Sequence, residues 1–149
     1  PDGVLVLDDL VGMISKRQYQ KMVEPHFKRI WNHFEGKIRI YHNDTPCEHL
    51  YPVFKDAGFD VFNFSHKTEI SETRRLIGEN IVLLGNVAPR DLGVFGTPDQ
   101  VYQAAWNCLK QAQDDGKLIL SFGGGVSPAT PAENIDAMCK AIKEWNFQH

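Results

Sequence analysis

Lys37-Ile38-Arg39-Ile40-Tyr41-His42-Asn43-Asp44-Thr45-Pro46-Cys47-Glu48-His49 decides how the chain is read. Its first five residues have the β-branched and aromatic content of a short strand, and Thr45-Pro46-Cys47-Glu48 has the chemistry of a helix start. His42, Asn43 and Asp44 are therefore expected in the turn between them. In parallel α/β folds the loops at the carboxyl ends of the strands hold ligands, because the strands fix them and the next helix directs N–H groups into the same space. The rest of the chain is read by asking what builds, or faces, that edge.

Working outward, Val4-Leu5-Val6-Leu7 is an apolar run expected to form a strand buried on both faces, ending in Asp8-Asp9. Two carboxylates there are either functional or turn residues. Ser15 is a helix cap, and Pro25 should divide the helix that follows, which runs to Phe34 before Gly36. Thr45-Pro46-Cys47-Glu48, Thr97-Pro98-Asp99-Gln100 and Thr130-Pro131-Ala132-Glu133 repeat one T-P-x-[EQ] device, a capping box expected to open three helices. Further strands are expected over 60–64, 81–84 and 117–121, with helices over 46–57, 69–77, 98–112 and 131–145. About five strand–helix units in strict alternation predict an α/β fold with a parallel sheet and right-handed crossovers. The strands lack polar–apolar alternation, which suits a barrel or a doubly wound sheet, and periodicity does not choose between the two.

The chain has 149 residues, enough for one domain. With 42% hydrophobic residues, 23% charged residues and a net charge of -3, it offers no electrostatic case for nucleic acid as a partner. No apolar run approaches the roughly 20 residues needed to cross a bilayer, so the expectation is a cytoplasmic protein without a membrane partner. Cys47, Cys108 and Cys139 are odd in number and widely spaced, which argues against a disulfide framework and a structural zinc site.

If the strands are parallel, Asp8, Asp9, His42, Asp44, Asn63, His66, Asn86 and Gly123-Gly124-Gly125 collect along one edge. The glycines form neither a G-x-G-x-x-G pattern nor a P-loop; they permit close backbone approach to a small-molecule substrate, or simply a tight turn. His42-x-Asp44 is the best candidate for catalysis. An imidazole can bind a metal or move a proton near neutral pH, and a nearby carboxylate can orient it or share the metal. A structural histidine at a strand end is the alternative.

As a set, Tyr19 to Ile30 with its central Pro25, His42-Asn43-Asp44, Ala57-Gly58-Phe59-Asp60, Leu84-Gly85-Asn86-Val87, and above all Gly124-Gly125-Val126-Ser127-Pro128-Ala129-Thr130-Pro131-Ala132-Glu133-Asn134 resemble the uroporphyrinogen decarboxylase superfamily. That superfamily also holds corrinoid- and cobalamin-dependent methyltransferases acting on coenzyme M. The resemblance implies a TIM (β/α)8 barrel more than twice this length, so residues 1–149 are expected to be its C-terminal part only, about strands four to eight. Such an open piece would expose two sheet edges and the apolar barrel interior, and is expected to self-associate or to need a chain completing the barrel. By itself it is expected to catalyse nothing.

The resemblance also implies site chemistry. In the methyltransferase branch a His-x-Cys pair and a distant cysteine hold zinc, which turns a thiol into a thiolate. Here His42 matches the histidine, Asp44 stands at the first cysteine and Gly124 near the second. Any metal is then expected on His42 and Asp44 with further ligands, and Asp8, Asn63, His66, Asn86 and Gly123 to Gly125 are expected to bind substrate. The decarboxylase branch needs no cofactor, and its histidine in the last glycine-rich loop is missing at Gly123-Gly124-Gly125. The expected parent activity is methyl transfer involving a thiol or a corrinoid, with a corrinoid protein as possible partner. Tetrapyrrole decarboxylation is the second reading and a non-catalytic binding module the third.

Overall fold

The computed structural model describes residues 1–113 and 116–148. Strand β1 (Gly3–Leu7) leads through a 3-10 turn (Val11–Met13) to helices α1 (Lys16–Met22) and α2 (Glu24–His33). Then β2 (Ile38–Asn43) leads through a second 3-10 turn (Glu48–Leu50) to α3 (Tyr51–Phe54), and β3 (Val61–Phe64) to α4 (Ile70–Ile77). Finally β4 (Val82–Val87) is followed by α5 (Pro98–Gln111), and β5 (Leu118–Phe122) by α6 (Ala132–Gln148).

The strands form one sheet in the order β1-β2-β3-β4-β5, every neighbouring pair parallel. This order settles what periodicity left open. A doubly wound sheet reverses its strand order at a switch point, whereas a barrel adds each strand on the same side of the last. The chain is thus a partial TIM barrel with β1 and β5 as its edges.

Register sorts side chains onto two faces, because successive residues of a strand point to opposite sides. Leu5, Ile40, Val61 and Val82 align across the sheet, and one pleat on, so do Leu7, His42, Asn63, Leu84 and Ile119. These line the inner face. The other face packs under the helices around Tyr41, which is fully buried and contacts the rings of Phe27, Trp31, Phe54, Phe59 and Phe62. Such ring pairs each add about 0.5–1.5 kcal/mol beyond the area they bury. On the inner face Leu5, Leu7, Ile38 and Ile119 remain half exposed or more. The expectation that β1 is buried on both faces therefore fails, since among the described residues the helices cover one side only. The exposed inner face and the two edges are those expected of an open piece of a barrel.

Helix boundaries follow local chemistry. Ser15 caps α1 in a full capping box with Gln18, and the chain breaks at Val23 so that Pro25 falls in the first turn of α2, as expected. Thr97 and Gln100 form the same box at α5. At Thr45 the expected box does not form: its hydroxyl donates back to Asn43 Oδ1 at 2.6 Å, and helical structure starts only at Glu48. Glu48, freed from that role, accepts from Thr68 Oγ1 at 2.5 Å. Thr130 donates to the Ser127 carbonyl at 2.7 Å, closing the turn before α6. Another expectation is corrected at β2, which continues through His42 and Asn43 because Leu7 pairs with His42 on one side and Phe64 with Asn43 on the other.

Candidate functional site

His42 sits at the end of β2 with its ring on the inner face, only 14% of its side chain exposed. Its Nδ1 lies 2.6 Å from Asn63 Oδ1 on β3. The Asn63 amide nitrogen donates to the Leu84 carbonyl at 2.7 Å, and a carbonyl can only accept, so the amide has one orientation. Its oxygen therefore faces His42 and accepts a hydrogen bond from Nδ1–H. In the neutral ring the free lone pair is then on Nε2, on the side of Asp9. A buried amide, 5% exposed, thus sets both the tautomer and the direction of the imidazole.

The two carboxylates after β1 part company at this point. Asp8 turns to the helix side, where Oδ2 accepts from the Tyr41 hydroxyl at 3.2 Å and Oδ1 from the Leu10 amide at 2.7 Å. Burial, reinforced by the negative charge of Asp8, raises the Tyr41 pKa, so its hydroxyl stays a donor. Asp9, one residue on, turns to the inner side, with Oδ1 3.7 Å from His42 Nε2. Ligand atoms of Asp9, His42 and Asp44 all lie within 4.8 Å of one another. Asp9 and Asp44 each stand two residues past the paired residues Leu7 and His42, in the loops that follow β1 and β2. Both Asp8 and Asp9 are expected along this edge; in the structure the two oxygens of Asp8 hold the loop, and Asp9 lies beside the imidazole.

One imidazole nitrogen and two carboxylates form a donor set that a divalent ion such as zinc accepts, and both carboxylates are exposed enough to draw in. Among the described residues no cysteine joins this group. Cys47 is fully buried on the helix side, its Sγ directed to Asn43 Oδ1 at 3.6 Å, and burial, aided by Glu48, pushes its thiol up to about 12. Cys108 is likewise buried and pushed up to about 11.

The glycine-rich loop after β5 closes over the edge. A Cβ on Gly124 would lie 3.4 Å from Asp44 Oδ2, and the residue has φ +121°, a left-handed conformation that favours glycine. A Cβ on Gly123 would come within 2.8 Å of both Asn86 Oδ1 and His66 Cβ. The loop thus touches two groups of expected site residues, Asp44 on one side and His66 with Asn86 on the other. His66 and Asn86 also line a cavity of about 200 Å3 that continues to Thr68, Asn107 and Cys108. Asn86 is anchored through Nδ2 to the Thr68 carbonyl at 2.7 Å, while its buried Oδ1 has no protein partner. Gly125 faces open space.

Three supporting residues escaped the sequence reading. Asn43 Oδ1 accepts from both the amide and the hydroxyl of Thr45, which ties the turn carrying Asp44 to the strand. Tyr41 braces Asp8. Asn134, 1% exposed, donates from Nδ2 to the carbonyls of Gly93 and Gly96 at 2.9 Å each, clamping α6 to the loop before α5. The alternation of side chains along β2, which sets Tyr41 and His42 on opposite faces, was the available signal for Tyr41.

No helix among the described residues is long and apolar enough to cross a membrane. The chain is 33% identical over 133 residues to a methylated-thiol–coenzyme M methyltransferase of Methanosarcina mazei, covering 89% of this chain and 35% of that protein. It is 28% identical over 144 residues to a uroporphyrinogen decarboxylase of Thermus thermophilus, covering 96% of this chain and 41% of that one. Among solved structures, a methyltransferase from Methanosarcina mazei superposes with a TM-score of 0.87 at 20% identity, over 97% of this chain and 42% of that chain. The chain therefore spans roughly two fifths of the proteins it matches. The family model for uroporphyrinogen decarboxylase (URO-D) matches residues 1–145, and to that family this chain belongs.

Proposed function

We propose that this chain carries part of the active site of a methyltransferase that moves a methyl group to or from a thiol or a corrinoid. The observation that supports this most is the His42 ring, held by Asn63 with Nε2 free and facing Asp44 at the carboxyl edge of the sheet. His42 and Asp44 would hold a zinc ion, which when bound supplies the Lewis acidity that makes a thiol nucleophilic at neutral pH. Asn63 keeps the imidazole oriented, and Gly124 leaves room beside Asp44 for a substrate to approach the edge. His66, Asn86 and Gly123 form the adjacent wall. The exposed inner face with Leu5, Leu7, Ile38 and Ile119 supports a chain completing the barrel, and a corrinoid protein is the methyl-carrying partner this chemistry calls for. The similarity to a methyltransferase named for a methylated thiol supports the same direction.

A second reading is decarboxylation of a tetrapyrrole, favoured by the match to decarboxylases over 96% of the chain and by the absence of a thiolate near His42 among the described residues. In that case His42 transfers a proton or orients the substrate. Elemental analysis of the full-length parent protein and of its Asp44→Ala variant decides. About one zinc per chain, lost in the variant, is expected for the methyltransferase. No metal in either protein, together with turnover of a porphyrinogen, would establish the second reading instead; ligand binding without turnover would leave a binding module.

A further inference from the structure

We infer that Asp9 is the third protein ligand of a thiolate-free metal centre, so that the donor at the β5 loop in the zinc site implied by the family resemblance is replaced here by a carboxylate from the β1 loop. This rests on the metal reading given above and adds to it a residue and a chemistry. Three observations carry it. At Gly124, where that resemblance puts a cysteine, there is no side chain, and the position a Cβ would take faces Asp44 Oδ2 at 3.4 Å. Across from it, Asp9 Oδ1 lies 3.7 Å from the Nε2 lone pair whose direction Asn63 has set. Asp8 holds the loop that presents Asp9: its own oxygens are engaged by the Leu10 N–H and the Tyr41 hydroxyl on the helix side, while Asp9 Oδ1 faces His42.

The result is one imidazole nitrogen from β2 and two carboxylates from the loops that follow β1 and β2. A set of this kind favours borderline and hard divalent ions, zinc, cobalt and manganese among them, over the soft ions that thiolates select. Two carboxylates also neutralise a divalent ion, and the remaining coordination positions stay open for water and substrate.

The test is equilibrium dialysis and calorimetric titration of Zn2+ and Co2+ into the protein, with Asp9→Asn, Asp44→Asn and, as a control at the opposite end of β1, Asp2→Asn. Asp9 is 61% exposed, so its amide variant should keep the wild-type melting temperature, and each variant is checked for this. Both site variants are expected to lose affinity by about tenfold or more, and the control to lose none. The Co2+ form should lack the intense sulfur-to-metal charge-transfer absorption of a thiolate site. Binding weakened in Asp44→Asn but intact in Asp9→Asn would overturn the assignment of Asp9 and leave the metal reading standing. Binding unchanged in both, or no binding by the wild type, would overturn both. A thiolate absorption band would show that the donor set is wrong.

Discussion

Replacing Asn63 with leucine tests the idea that a buried amide holds the site histidine in one tautomer. The side chain is 5% exposed and nearly the same size as leucine, so the change removes hydrogen bonds with little change of volume. Two are lost, the 2.6 Å contact to His42 Nδ1 and the 2.7 Å contact to the Leu84 carbonyl. Each is worth about 1 kcal/mol net, and the partners left without them in a mostly buried setting raise the total to about 2–4 kcal/mol. For a domain of this size that is a fall in melting temperature on the order of 10 °C. The more specific effect is on the ring. Long-range 1H–15N NMR of ring-labelled protein in alkaline buffer reads which nitrogen carries the proton. Wild-type His42 should show it on Nδ1, and the variant should lose that preference. A wild-type ring protonated on Nε2 would refute the derivation of the free lone pair, and with it the geometry on which the proposed metal ligation depends. A variant with unchanged melting and unchanged tautomer would refute the role of Asn63.

Two further predictions use the loop and the sheet. Gly123→Ala brings a methyl group within 2.8 Å of Asn86 Oδ1 and His66 Cβ and 2.9 Å of the His66 amide nitrogen, and should destabilise by about 1–3 kcal/mol in urea denaturation, whereas Gly125→Ala meets only open space and should cost little. In the Arg39–Asp60 pair, the Asp60 carboxylate accepts three N–H bonds from Arg39, at 2.8 to 3.0 Å, and these hold its pKa below the usual carboxylate value. A depressed folded-state pKa means stability present above the unfolded value and lost as pH falls through the folded one. Asp60→Asn should thus be less stable than wild type at neutral pH, by about 1 kcal/mol after solvent screening of this partly exposed pair, and the two should converge in acid. A gap that persists at low pH would point to a cause other than the charge.

What could be read from the chain alone was the alternation of strand and helix, since period and turn chemistry are local. Pro25 divided a helix, Ser15 and Thr97 capped theirs, and the strands fell within a few residues of expectation for that reason. His42 and Asp44 were legible as a pair because they lie two residues apart on one strand end. Local signals failed where a distant partner competed. Thr45 carries the same capping pattern as Thr97, yet its hydroxyl is taken by Asn43, and β2 extends past Tyr41 because β1 and β3 pair with its last residues.

The choice between a barrel and a doubly wound sheet also belonged to tertiary structure, because strand order is a relation among segments that periodicity within one segment does not encode. The same holds for the site. Asp8 and Asp9 are adjacent and chemically alike, and only the folded loop after β1, beside the Leu7–His42 pair, turns one to brace Tyr41 and the other to His42. The amide that orients that histidine comes from a third strand, 21 residues away in sequence, and meets it because parallel pairing places Asn63 beside His42 on the same face. Residue types determined which chemistry was possible, and pairing across the sheet determined which residues stand close enough to perform it.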